Sequence, residues 1–175
     1  MSHCGVNAIQ LFKSAEGGWK IIHITDTRRR EGCRTEPYND KTAINEMLDA
    51  WHHAAAVADE DAFFGSMTAD ATYLGTDATE RWLRDDMKAW SAKYFERESA
   101  WAFTPKNRQV YLSADGRMAW FEELLDTWMG ACRGSGVLQK TAEGWKIRHY
   151  NLAVTVPNEV IKGFIELVKN ATEKK

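Results

Sequence analysis

Proline is scarce in this 175-residue sequence, long apolar runs are missing, and neither sign of charge dominates. Three prolines and twelve glycines are too few for a collagen-like or low-complexity chain. A content of 44% hydrophobic and 27% charged residues excludes general disorder. No run approaches the ~18 apolar residues that span a bilayer. The opening MSHCGVNAIQLF lacks a basic segment ahead of an apolar one, so it does not read as a secretory signal. A net charge of −2 offers no field to collect nucleic acid or an anionic membrane, and neither is expected as a partner. Cys4, Cys33 and Cys132 are odd in number and dispersed, which argues against a disulfide scaffold and makes the cytoplasm the expected compartment. Tryptophan, by contrast, is plentiful. Eight of them imply either a heavily aromatic core or an aromatic-lined pocket.

The length fits one compact domain with a short appendage, and an internal repeat shows what the appendage is. Residues 5–25 read GVNAIQLFKSAEGGWKIIHIT, and residues 134–151 read GSGVLQKTAEGWKIRHYN. Each pairs a β-like run with a glycine turn and a second run that begins WKI, the pattern of a β-hairpin. The spacing is about one domain length, too long for a solenoid period of ~20–50 residues. Two readings stand: unrelated hairpins of similar composition, or a hairpin left from a truncated second copy. On the second reading, residues 1–36 are an orphan hairpin plus linker and residues 37–175 the main domain. Met1 would then be an internal start, and a signal segment could lie upstream. The linker carries Arg28, Arg29, Arg30 and Arg34 without interleaved aromatics, so it reads as solvated chain rather than a nucleic-acid site.

From Asp40 onward, helical spacing of Ile44, Met47, Leu48, Trp51 and Ala55 predicts a first helix capped by Asp40. A short helix over 61–67 carries Phe63 and Phe64. A strand over 71–75 leads through TDATERW, with Asp77 or Thr79 as cap, into a third helix over 80–96. That helix aligns Leu83, Met87, Trp90 and Tyr94. Strands are expected at 100–103, 109–113, 118–128, 131–140 and 145–155, and a closing helix has the stripe Val160, Ile161, Phe164, Ile165 and Val168. Helices followed by a run of strands mean an α+β fold: a cone-shaped, strongly bent antiparallel sheet with helices packed on its concave face. The open end of such a cone is a natural pocket.

Three segments, YLGTDATERW at 73–82, AWFEELLDTWMGACRGSGVL at 119–138 and WKIRHYNLAVTVPNE at 145–159, resemble a SnoaL-like domain of the nuclear transport factor 2-like superfamily. The resemblance spans about residues 40–170 and implies the cone fold and a homodimer through the convex face of the sheet. That superfamily hosts isomerases, cyclases, dehydratases and epoxide hydrolases as well as non-catalytic assembly domains, so the fold leaves activity open.

Turn positions set strand parity. With the TAEG turn between Thr141 and Gly144, Lys140 faces Trp145, Leu138 faces Ile147 and Gly136 faces His149. With Met129–Gly130 as the preceding turn, Thr127 faces Cys132 and Glu123 faces Gly136. Alternation then puts Phe121, Glu123, Leu125, Leu138, Trp145, Ile147, His149 and Asn151 on one face, taken as interior because Lys146 and Arg148 occupy the other. Glu123 and His149 would flank Gly136, roughly 10 Å apart at Cα across two strand spacings. A carboxylate and an imidazole over such a gap suit cofactor-free general acid–base work, with Glu123 as base and His149 as oxyanion stabiliser or relay. The alternatives are a structural hydrogen bond, or a bulge that turns one partner outward and brings in Glu122. Trp51, His52, Tyr73, Trp90, Phe121, Trp145 and Asn151 complete the expected pocket lining, for a small apolar or aromatic ligand.

Other motifs carry less. His52 and His53 lack the i, i+4 spacing of a helical metal pair, and no metal or cofactor is expected. Cys132 reads as a buried structural thiol despite Arg133 beside it. CRGSGVL is no phosphate loop, and no G-x-S-x-G elbow occurs. Two functions follow: a small-molecule pocket with proton-transfer chemistry of isomerase, dehydratase or cyclase type, or a non-catalytic dimerisation or protein-interaction domain.

Overall fold

A computed structural model of the chain describes residues 7–13, 18–26 and 39–172. It divides into two compact units, Met1–Asn39 and Asp40–Lys175. In the first, β1 (Asn7–Lys13) and β2 (Trp19–Asp26) form an antiparallel hairpin with a bulge at Gln10/Leu11. Cys4, Cys33, Pro37 and the linker arginines lie outside the described residues.

The second unit begins with α1 (Asp40–Ala56), on which Ile44, Leu48, Trp51 and Ala55 are all buried, as their helical spacing requires. The Asp40 carboxylate pins the start of this helix. It accepts from Lys140 Nζ at 2.7 Å and from Trp145 Nε1 at 3.0 Å. Next come α2 (Glu60–Gly65), capped by Asp59, then β3 (Met67–Leu74) and β4 (Arg81–Leu83). After α3 (Arg84–Phe95) the chain runs through β5 (Thr104–Leu112), β6 (Met118–Thr127), β7 (Gly130–Thr141) and β8 (Gly144–Val154). A 3₁₀ turn at Asn158–Val160 leads into α4 (Ile161–Thr172).

The sheet order is β4-β3-β8-β7-β6-β5, antiparallel except for the β3–β8 pair. Register shifts in the β3–β8, β5–β6 and β7–β8 ladders bend the sheet, which stays unclosed. Both long hairpins turn on a T-x-x-G sequence. Thr127 and Thr141 donate their hydroxyls to the carbonyls of Gly130 and Gly144, which sit at φ of 90° and 112°. Only glycine adopts these angles without strain. The core lies between α1, α2, α3 and one sheet face. At its centre Trp51 stacks on Phe63 at 4.9 Å and meets Tyr150 edge-on at 4.8 Å.

Three local expectations are corrected. The third helix does not start at Glu80, because the amide of Gly75 donates to the Glu80 carbonyl and folds the chain back. Arg81–Leu83 thereby pairs with β3 as an edge strand, and Asp77 caps a turn, accepting from Thr79, rather than a helix. Residues 100–103 form no strand, since the amides of Ala100 and Trp101 donate to the carbonyl of Ala55 at the end of α1. The α4 stripe exists, but Val160, Ile161, Phe164, Ile165 and Val168 are exposed. No helix among the described residues is long and apolar enough to cross a membrane.

Candidate functional site

The expected row of Glu123, Gly136 and His149 does not form. The β6–β7 turn is Trp128–Met129, so Thr127 pairs with Gly130, Glu123 with Gly134 and Phe121 with Gly136. This slip of two residues preserves parity, and Phe121, Glu123 and Leu125 stay on the buried face. In the next ladder Leu138 pairs with Ile147 but Val137 with His149, leaving Arg148 as the extra residue of a bulge. That odd step reverses the faces. Tyr150 and Leu152 enter the core, while His149 and Asn151 turn to the opposite side of the sheet. His149 lines a hollow there with Tyr111, Trp120, Glu122 and Ser135.

The imidazole that meets Glu123 is His52 of α1. Its Nε2 lies 2.7 Å from Glu123 Oε1, and Arg108 Nε of β5 donates to Oε2 at 2.7 Å. Arg108 Nη1 reaches Asp49 at 2.7 Å and the Asn45 carbonyl at 3.1 Å. The Glu123 side chain is fully buried, and both its oxygens are engaged. The network thus clamps α1 onto β5 and β6. Arg108 Nη2, Trp51 Nε1 and the Tyr150 hydroxyl are buried nearby and have no partner among the described residues. Burial, then Tyr73 and Glu123, push the Tyr150 phenol well above its ordinary range, so it keeps its proton.

The apolar cleft lies elsewhere, between α3 and the β3–β4 end of the sheet. It encloses about 510 Å³ and is walled by Tyr73, Trp82, Trp90, Tyr94, Trp101 and Phe103. Trp82 stacks on Trp90 at 5.2 Å, and Trp90 meets Tyr94 at 5.3 Å. Trp128, 82% exposed on the β6–β7 turn, stands over the rim. The charged groups are Glu80 and Arg97. Glu80 folds across Gly75, where an added Cβ would come within 2.9 Å of the Glu80 Cβ. Burial, followed by the charge of Glu80, holds the Tyr73 phenol protonated well past neutral pH. Among the described residues no group of three His, Cys, Asp or Glu side chains could hold a metal ion.

Residues 44–157 match the family model for the SnoaL-like domain. The chain belongs to that family. No curated protein matches it. Solved structures share the fold of the SnoaL-like domain at low identity. A candidate aromatic ring hydroxylase from Novosphingobium aromaticivorans is 22% identical, with 70% of this chain and 94% of that chain covered and a TM-score of 0.57. A candidate dehydratase of the NTF2-like family from Streptomyces avermitilis is 13% identical, covering 66% and 95% at a TM-score of 0.56. An NTF2-like protein from Pseudomonas putida is 12% identical, covering 67% and 87% at 0.54.

Of the residues picked out in the sequence, Tyr73 and Trp90 line the cleft of the SnoaL-like domain. Trp51, Phe121 and Trp145 are core side chains, and His52 belongs to the buried clamp. Asn151 leaves with His149. Trp82, Tyr94, Trp101 and Phe103 were missed, although Trp90 and Tyr94 at i, i+4 were a usable signal. Arg108 had none, because its partners come from distant segments.

Proposed function

We propose that the SnoaL-like domain binds a flat apolar or aromatic small molecule in the cleft between α3 and the sheet. The observation that carries this reading is the set of aromatic side chains from β3, β4, α3 and the following loop around one open volume. That volume falls within the range of small-molecule sites, ~300–1,000 Å³. A protonated Tyr73 offers one hydrogen bond to a ligand oxygen. If proton transfer occurs there, Tyr73 and Glu80 are the groups that touch the cleft, not Glu123.

A thermal-shift comparison tests the binding reading. 2-Naphthylmethanol at ~1 mM should raise the midpoint visibly, because a ligand stabilises by RT ln(1 + [L]/Kd). Cyclohexylmethanol should raise it less, and Trp90→Ala should remove the difference. No shift with any planar ring compound would overturn the proposal.

A second observation favours self-association. On the sheet face away from the helices, Tyr111 stacks on Trp120 at 5.7 Å, and both stay exposed, as does Leu124 further along β6. We read this face as the dimer contact. Sedimentation should give twice the chain mass, falling to one chain in Trp120→Glu. A monomeric wild type would remove this reading. The hairpin of residues 1–36 is proposed to be the remnant of a second copy, supported by the shared AEG turn and WKI run.

A further inference from the structure

The charged groups of the cleft are sorted along its aromatic wall. Glu80 sits at the β3–β4 end, where its charge reaches Tyr73 and its Oε2 accepts from the amide of Asp77 at 3.2 Å. The wall continues from Trp82, the cross-strand partner of Tyr73, to Trp90 and then Tyr94. At Tyr94 two cations meet over one ring: Arg97, its Cζ 4.7 Å from the ring centroid, and Lys93, its Nζ at 5.0 Å. Neither has a carboxylate within ion-pair distance among the described residues, and Arg97 lines the cleft whereas Lys93 does not. With no carboxylate partner among the described residues, the Arg97 guanidinium has N–H groups to offer a ligand, and the N–H edge of a guanidinium matches a carboxylate in two parallel hydrogen bonds.

We propose that the ligand is an aromatic carboxylic acid, its ring lying along Trp82, Trp90 and Tyr94 and its carboxylate paired with Arg97. The assignment rests on the reading of the cleft as a small-molecule site, and adds the acidic group and the residue that selects it. The neutral isostere loses a charge-assisted pair at Arg97 and keeps every ring contact. Glu80 lies at the other end of the ladder, where a second anionic group would meet repulsion. Monoacids should therefore bind better than diacids of the same ring length.

Titration calorimetry on the full chain with 2-naphthoate and 2-naphthylmethanol tests this. The wild type should bind the acid about three- to fivefold more tightly than the alcohol, the contribution of one exposed charge pair. That preference should shrink as salt rises from about 50 to 500 mM. Arg97→Gln should abolish the preference by weakening the acid more than the alcohol, and Lys93→Gln, outside the cleft lining, should keep it. Equal affinities in the wild type, or a preference that survives Arg97→Gln, would overturn the carboxylate assignment alone. Failure of both compounds to bind would overturn it together with the cleft reading.

Discussion

At the scale of single residues the buried clamp decides more than any other group. Glu123 meets His52 and accepts from Arg108 with its side chain fully buried, and Arg108 depends on Glu123 to offset its desolvation. Removing one member of a buried ion pair leaves the other uncompensated. Glu123→Ala should therefore cost about 3–5 kcal/mol in urea unfolding. A cost below about 1 kcal/mol would mean that Arg108 finds other partners. Tyr150 behaves oppositely. Its hydroxyl has no partner among the described residues, so Tyr150→Phe should leave stability unchanged or slightly raised. Gly134 is tied to the same hydroxyl: an added Cβ would lie 2.6 Å from it and 3.2 Å from Leu125 Cδ1. Gly134→Ala should destabilise the wild type by more than it destabilises Tyr150→Phe, a coupling that a double-mutant cycle measures.

Among the elements, α1 is held at both levels of the sheet: by the clamp along its length and by Asp40 at its start. Hydrogen bonds from Lys140 and Trp145 hold the Asp40 carboxyl below its ordinary 3.8, so the folded state binds its proton less readily than the unfolded chain. The stability gained is fully present above 3.8 and is lost as pH falls through the lowered folded value. Urea midpoints of wild type and Asp40→Asn should thus differ at pH 7 and converge as pH falls through the lowered folded value. A difference that persists in acid would show that the contact does not depend on charge.

The elements also show how far a sequence can be read. Helix α1 and the β6–β8 meander were legible because their apolar periods are clean and Gly130 and Gly144 mark the turns between the strands. β4 was not, because three residues carry no period, and only the return hydrogen bond from Gly75 to Glu80 makes a strand of them. A bulge turning one partner outward stood among the alternatives, but no residue type marks Arg148 as its place, and there it exchanged His149 for Tyr150 inside the core. Glu123 was placed on the buried face through a turn register that was wrong by two, an error that parity forgives. Its partners His52 and Arg108 come from α1 and β5, and local pattern could not join them to β6.

At the scale of the whole molecule, the seven tryptophans of Asp40–Lys175 divide by task. Trp51 fills the core and Trp145 bonds Asp40, while Trp120 lies on the outer sheet face. Trp82, Trp90, Trp101 and Trp128 surround the cleft. Trp82 and Trp101 also pack against the core, so Trp90 and Trp128 are the two whose place the proposed ligand explains most directly. The four come from a strand, a helix and two connecting segments, so the cleft is a product of the fold rather than of one motif. The direct test is to follow the indole N–H signals by NMR as 2-naphthoate is titrated into the protein. The account predicts that the signals of Trp82, Trp90, Trp101 and Trp128 move together while those of Trp51 and Trp145 stay in place. Shifts confined to Trp120, or no shift at any indole under saturating ligand, would contradict it.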